Sequence, residues 1–184
     1  LTLAAVTIAD NGAIFRCRVS NSAGSILSAT ATLTVTATPA NGLTARYFNQ
    51  YAGLTSPVVL TRVDPQVNFD WAFASPAPGT VGADNFSVRW TGQVQAAFTE
   101  TYTFFTQSDD GVRLWVNNQL LIDRWQHQGG TEWSGTVAMV AGQRYDIRLE
   151  YFEGGAGALC RLLWSSASTT KQAIPTSNLF PEGS

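Results

Sequence analysis

Thr101-Tyr102-Thr103-Phe104-Phe105-Thr106-Gln107-Ser108-Asp109-Asp110-Gly111-Val112-Arg113-Leu114-Trp115-Val116 joins two strand-like runs through an acidic step. In an extended chain, successive side chains point to opposite faces. Downstream, Val112, Leu114 and Val116 therefore share one face, and Arg113, Trp115 and Asn117 the other. The upstream run is aromatic and rich in Thr, residue types that favour strands. Asp109-Asp110-Gly111 then falls at a turn, exposed at one end of a sheet. Two readings of this step stay open on spacing alone. Asp and Gly make good turns by themselves. Adjacent carboxylates also repel each other unless a cation or strong donors gather their charge, and a hard cation such as Ca²⁺ uses clustered oxygens of this kind.

The same alternation recurs along the chain at 14–20, 29–36, 86–95, 119–124, 135–140, 144–152 and 159–165. Asn117-Asn118 lies between two alternating runs and marks a hairpin, because Asn accepts positive φ, and Ala141-Gly142-Gln143 marks a second turn. No segment sustains a helical period with caps at both ends. Short strands separated by Gly and Asn predict an all-β fold, an antiparallel sandwich or barrel.

Composition narrows the function classes. The chain has 184 residues, 45% of them hydrophobic and only 13% charged, so a core is easily buried. A formal charge of -2 lacks the basic stripe that nucleic-acid binding needs. No apolar run approaches the length of a membrane span, and no membrane insertion is expected. No signal peptide opens the chain, which starts inside a strand-like pattern as a piece of something longer would. Low charge with many Thr, Ser, Gly and aromatic residues suits an extracellular protein. One His and two Cys make a zinc site implausible. Cys160, in an apolar run, reads as a buried core thiol, and nothing in the spacing supports a bridge to Cys17.

Residues 1–36 read as a separate unit. Asp10-x-Gly12-x-x-Phe15-x-Cys17-x-Val19-x-Asn21-x-Ala23-Gly24 resembles the E–F corner and F–G hairpin of an immunoglobulin-like domain. Strands E, F and G would then fall at 1–8, 14–20 and 29–36, the tail of a truncated domain. Phe15 stands where that family places a Tyr, which removes the corner's hydroxyl bond. Residues 37–41 serve as a linker, since Pro39 and Gly42 stop the strand and no apolar period crosses it.

From Gly42 onward the landmarks form an ordered series. They run Gly42-Leu43-x-Ala45-Arg46-Tyr47-Phe48, Asp64-Pro65-x-Val67-Asn68-Phe69-Asp70-Trp71 and Phe86-Ser87-Val88-Arg89-Trp90-Thr91-Gly92. The acidic step, Leu121-Ile122-Asp123-Arg124-Trp125, Ala141-Gly142-x-x-Tyr145-x-Ile147-x-Leu149-Glu150-Tyr151 and Leu162-x-Trp164 follow. Residues 42–184 thus resemble the PA-fourteen family, named after a domain of anthrax protective antigen. The resemblance implies a β-sandwich or barrel carried as a module by extracellular glycosidases, adhesins and toxins. In the family's sugar-binding members, the yeast flocculins and epithelial adhesins, adjacent aspartates joined by a cis peptide hold one Ca²⁺ that ligates sugar hydroxyls. The matching positions are Asp109 and Asp110. The family's further ligand, often Asn, sits two residues after the Tyr of the late strand, where this chain has Glu153.

A pyranose packs its C–H face on aromatic rings while its hydroxyls seek polar groups. Trp133 and His127 lie in the Gly- and Gln-rich stretch 124–133, which reads as a loop, and Gln107 flanks the aspartates. Trp133 is the stacking candidate, His127 and Gln107 are candidate sugar contacts, and Trp125 reads as a structural residue. Trp71, Trp90, Trp115 and Trp164 are expected in the core. The expected function is a non-catalytic carbohydrate-binding module using Ca²⁺, with glycans and other domains of the same parent chain as partners. The alternative is a structural or protein–protein interaction module without metal, accessory to a glycosidase, adhesin or toxin. An enzyme fits worst, because adjacent Asp109 and Asp110 are too close for two-carboxylate glycoside hydrolysis.

Overall fold

Alternating burial runs through most of the long strands of the computed structural model, which describes residues 10–34 and 41–184. The chain divides into two compact units at Thr38/Pro39. In the first unit, β1 (Ile14–Phe15) pairs with β4 (Ala31–Thr32), and β2 (Arg18–Asn21) pairs with β3 (Gly24–Leu27). Together they form one antiparallel hairpin interrupted at Cys17, whose carbonyl accepts from Ser28 N–H at 2.9 Å. The second arm starts at Gly24 rather than at residue 29, because the turn closes directly after Asn21, whose Oδ1 accepts from Ala23 N–H at 2.9 Å. One hairpin is all that the described residues of this unit show. The expected strand E and most of the expected linker lie outside the described residues.

The second unit consists of β5 (Leu43–Phe48), β6 (Leu60–Asp64), β7 (Asn68–Ala72), β8 (Phe86–Gln95), β9 (Glu100–Asp109), β10 (Val112–Val116), β11 (Gln119–Arg124), β12 (Thr131–Met139), β13 (Arg144–Glu153), β14 (Ala158–Ser165), β15 (Gln172–Ala173) and β16 (Leu179–Pro181). All pairings are antiparallel. One sheet has the order β11-β10-β13-β8-β5-β6, with β16 beside β8. The other has the order β12-β9-β14-β15, with β7 beside β14. Alternate residues of both sheets face inward, and their apolar side chains form a shared core. Trp90 and Trp164 are fully buried there beside Tyr47, Tyr102, Tyr151, Phe86 and Phe104. Phe69 of β7 stacks on Trp90 of β8 with ring centroids 6.1 Å apart, which ties one sheet to the other. The result is a β-sandwich.

Polar hubs complete the core. Asp64 is buried, and its Oδ2 accepts from the Tyr47 hydroxyl at 2.7 Å and from Trp90 Nε1 at 2.8 Å. Its Oδ1 accepts from Arg62 Nε at 2.6 Å. The Asp64 landmark of the sequence is therefore a structural one. Cys160 is buried and unpaired, and Cys17 is exposed and unpaired. Two tryptophans depart from their expected places. Trp115 points away from the core, as the alternation of Val112, Leu114 and Val116 requires, and the Arg148 guanidinium covers its ring at 3.9 Å. Trp133 lies on strand β12 rather than in a loop, because the pairing with β9 already begins at Thr131↔Ser108. No helix among the described residues is long and apolar enough to cross a membrane.

Candidate metal centre

Four connections that bear on the acidic step pass from one sheet to the other at the same end of the sandwich. Asp109 ends β9 in the five-stranded sheet, and Val112 opens β10 in the seven-stranded one. Glu153 ends β13, and Ala158 opens β14 across from it. The loop 125–130 joins β11 to β12, and the loop 73–85 joins β7 to β8. Register confirms the shared end, for Leu159 stands between Asp109 and Asp70, and Val112 pairs with Tyr151. Loops gathered on a rigid sandwich are where binding residues are placed most readily.

The Asp109–Asp110 peptide is cis. Asp109, Asp110 and Glu153 bring one carboxylate oxygen each within 4.8 Å of one another, so these three residues can hold a metal ion. Three hard oxygens suit Ca²⁺ or another oxygen-seeking cation, and loop carbonyls and ligand hydroxyls can fill the remaining positions.

Each acid is held differently. Asp110 is buried, and its Oδ2 accepts from Gly154 N–H at 3.0 Å. Its Oδ1 accepts from Gln128 N–H at 3.1 Å and lies 3.2 Å from His127 Nδ1. Asp109 is half-buried, and its backbone carbonyl accepts from the Tyr151 hydroxyl. Burial first, and then the charge of Asp110, raise the Asp109 carboxyl above its ordinary value. Glu153 is fully buried; its Oε1 accepts from Gly155 N–H, and its Oε2 lies 3.2 Å from the Tyr151 hydroxyl. Burial pushes its carboxyl up to about 7, with the charges of Asp110 and Asp109 adding to the rise and the Gly155 and Tyr151 contacts opposing it. A cation among these groups relieves both the desolvation and the mutual repulsion.

That shift predicts a pH dependence. The native ion-free chain keeps the Glu153 proton up to about 7, whereas the unfolded chain loses it near the ordinary value of 4.5. The native state therefore binds more protons in between, and stability falls as pH rises across that window. The expected loss is about 3 kcal/mol, fully felt above pH 7 and absent below 4.5. Thermal melts in chelator at pH 5 and pH 8 measure it. Glu153→Gln should flatten the difference, and an equal pH response in wild type and variant would contradict this account.

The aspartates rest on a stiff support. Tyr151 lies in an aromatic cluster with Trp71 at 6.0 Å, Phe86 at 5.9 Å and Trp90 at 6.5 Å between ring centroids. Gln128 ties the loop 125–130 to the acidic step. Its Nε2 donates to Ser108 Oγ at 2.9 Å and to the Asp110 carbonyl at 3.2 Å, and its Oε1 accepts from Trp133 Nε1 at 2.9 Å. Ser108 Oγ donates to the same Asp110 carbonyl at 2.8 Å. Gly154 fits because a Cβ there would lie 2.6 Å from His127 Cε1 and 2.8 Å from Tyr51 Cε2.

The other sequence candidates take distinct places. His127 stands at the rim, its ring stacked on Tyr51 with centroids 5.4 Å apart and its Nδ1 turned to Asp110. Trp133 is half-buried, with the Arg124 guanidinium 4.1 Å from its ring centre, and it anchors Gln128. Gln107 shares the outer face of β9 with Asp109, and its Oε1 accepts from Arg161 at 3.2 Å. Trp125 packs edge-on against Phe152 and carries the Arg113 guanidinium 4.0 Å from its ring centre. Sequence reasoning missed Tyr51 and Gln128. Tyr51 lies in a stretch without alternation, and the only signal for Gln128 was its position one residue beyond His127.

Comparison with known proteins gives the geometry its context. The PA14 domain matches residues 39–178. The chain is 45% identical over 141 residues to anti-sigma-I factor RsgI3 of Acetivibrio thermocellus, covering 77% of this chain and 21% of that protein. A solved anti-sigma factor domain-containing protein superposes with a TM-score of 0.75 at 43% identity, covering 79% of this chain and 49% of its own. A PA14 sugar-binding domain from an RTX adhesin shares the fold with a TM-score of 0.64 at 16% identity, covering 78% of this chain and 99% of its own. The chain thus spans about a fifth of the curated relative and about half of the solved one. On the match across residues 39–178, the chain belongs to the PA14 domain family.

Proposed function

We propose that residues 42–184 form a non-catalytic carbohydrate-binding module that holds Ca²⁺ at Asp109, Asp110 and Glu153 and displays it to glycans outside the cell. The convergence of these three carboxylates on one point, at the end of the sandwich where the crossovers gather, carries the reading. When bound, the ion supplies open coordination positions for vicinal sugar hydroxyls. The chain's own residues do the rest. Gln128 and Gly154 fix the Asp110 carboxylate, Tyr151 fixes the Asp109 backbone, and the stacked Tyr51–His127 pair forms an aromatic and polar rim. His127 and Gln107 are the proposed polar sugar contacts, and Trp133 is a support for Gln128 more than a stacking surface, since Arg124 covers its ring. The carboxylates converge instead of flanking a cleft, which suits ion holding more than acid–base chemistry.

The RTX adhesin neighbour, a PA14 sugar-binding domain, agrees with this reading. The second reading is a structural or protein–protein interaction module without metal, and the anti-sigma relatives agree with its place in a longer chain. A glycan array probed in Ca²⁺ and again in chelator separates the two. Binding that needs Ca²⁺ is expected. An array without signal in either buffer, together with no heat on Ca²⁺ titration, would favour the metal-free module.

A further inference from the structure

The turn that opens the crossover 73–85 carries an aromatic ring for which folding supplies no reason. Ala74 N–H donates to the Trp71 carbonyl at 2.8 Å, which closes a tight turn with Ala72 and Phe73 at its centre. Ala72 takes φ 49°, a left-handed value for which turns select Gly or Asn. Phe73 at the tip is 79% exposed, the most exposed of the large hydrophobic residues among those described. A ring in that position adds almost nothing to core burial.

Its place in the sheet is informative. Ala72 pairs with Ala158 of β14, and the next residue of β14, Leu159, pairs with Asp109 of β9. Asp70 of β7 pairs with that same Leu159, two strand spacings or roughly 10 Å from Asp109, and Phe73 follows three residues beyond Asp70, so its ring stands farther from Asp109 than that. Gly157, one residue before Ala158, lies so close to the carboxylate that a Cβ there would sit 3.9 Å from Asp109 Oδ2. This is the β14 side of Asp109, whereas the His127 loop leads into β12 on the other side of β9. The two rims thus flank the carboxylates from opposite directions.

We infer that Phe73 is a ligand-contacting residue of this site, and that the ligand is an oligosaccharide of at least two rings. One ring sits at the carboxylates, and its neighbour packs its C–H face on Phe73. A single pyranose does not reach across the gap, so the contact distinguishes chain from monomer. This inference rests on the glycan reading above and adds the ligand's length and a specificity residue to it.

The test uses the full chain in saturating Ca²⁺ on an array of mono- to hexasaccharides of glucose, galactose, mannose and xylose. The best oligosaccharide and its terminal monosaccharide are then titrated into wild type, Phe73→Ala and Phe73→Trp. Phe73→Ala should weaken the oligosaccharide about tenfold and leave the monosaccharide unchanged, and Phe73→Trp should restore binding. Ca²⁺ affinity and melting temperature should not move, because the ring is exposed. Equal oligosaccharide affinities in wild type and Phe73→Ala, or an equal loss on the monosaccharide, would overturn the role of Phe73 and leave the metal-and-glycan reading standing. A wild type that binds Ca²⁺ but no sugar on the array would overturn the glycan reading and this inference with it.

Discussion

Asp109→Asn is expected to lower Ca²⁺ affinity about a hundredfold, because affinity at such sites follows the number of charged ligands. The same change should leave the melting temperature in chelator unchanged or slightly raised. Asp109 is half-buried, its carboxylate accepts no hydrogen bond from the described residues, and burial together with the Asp110 charge already disfavours its ionised form. Removing one of two adjacent charges therefore relieves repulsion in the ion-free chain. Asp110→Asn should behave differently. Its two oxygens accept from Gln128 and Gly154 N–H groups, so an amide there places a donor against a donor and loosens both loops. Calorimetric Ca²⁺ titration of the two variants beside their melting curves separates an ion-holding role from a structural one. Unchanged Ca²⁺ affinity in Asp109→Asn would remove this residue from the site.

Asp64→Asn should cost about 3 kcal/mol of stability or more, the largest expected effect away from the site. The carboxylate satisfies Tyr47, Trp90 and Arg62 together, and Arg62 also donates to the Tyr47 oxygen at 2.7 Å. An amide can keep the Tyr47 and Trp90 bonds through its one oxygen. Its NH₂ group then faces the Arg62 guanidinium, leaving a buried donor pair and an uncompensated cation. The melting temperature should fall by roughly 10 °C for a unit of this size. Ca²⁺ affinity, read below the transition, should be kept. A loss under about 1 kcal/mol would mean that water reaches Arg62 and that the hub matters little.

Much of the fold was legible because one-sided burial imposes alternation on most of the strands. The strands at 86–95, 112–116 and 119–124 coincide with β8, β10 and β11, and Asn117 and Asn118 take φ 51° and 59° in the turn between the last two. The same rule, followed consistently, also places Trp115 outside the core. A regular strand position suggests burial, but Arg148 covers the ring on the outer face instead. The acidic step was visible as a pair of charges at a turn. Its partner Glu153 came only from a family resemblance, since 44 positions separate Asp109 from Glu153 in the chain and only the two crossovers bring them together. Tyr51, Gln128 and Phe73 lie in irregular connections, where no period links a residue to a face. Gln128 matters through a backbone N–H as well as its side chain, and no residue-type pattern records that.

A crystal structure of the chain grown in Ca²⁺ tests the central claim most directly. One strong peak is expected at 2.3–2.6 Å from carboxylate oxygens of Asp109, Asp110 and Glu153 together, a separation typical of Ca²⁺. A map at saturating Ca²⁺ with no peak among these three residues, or with the ion bound elsewhere, would contradict it.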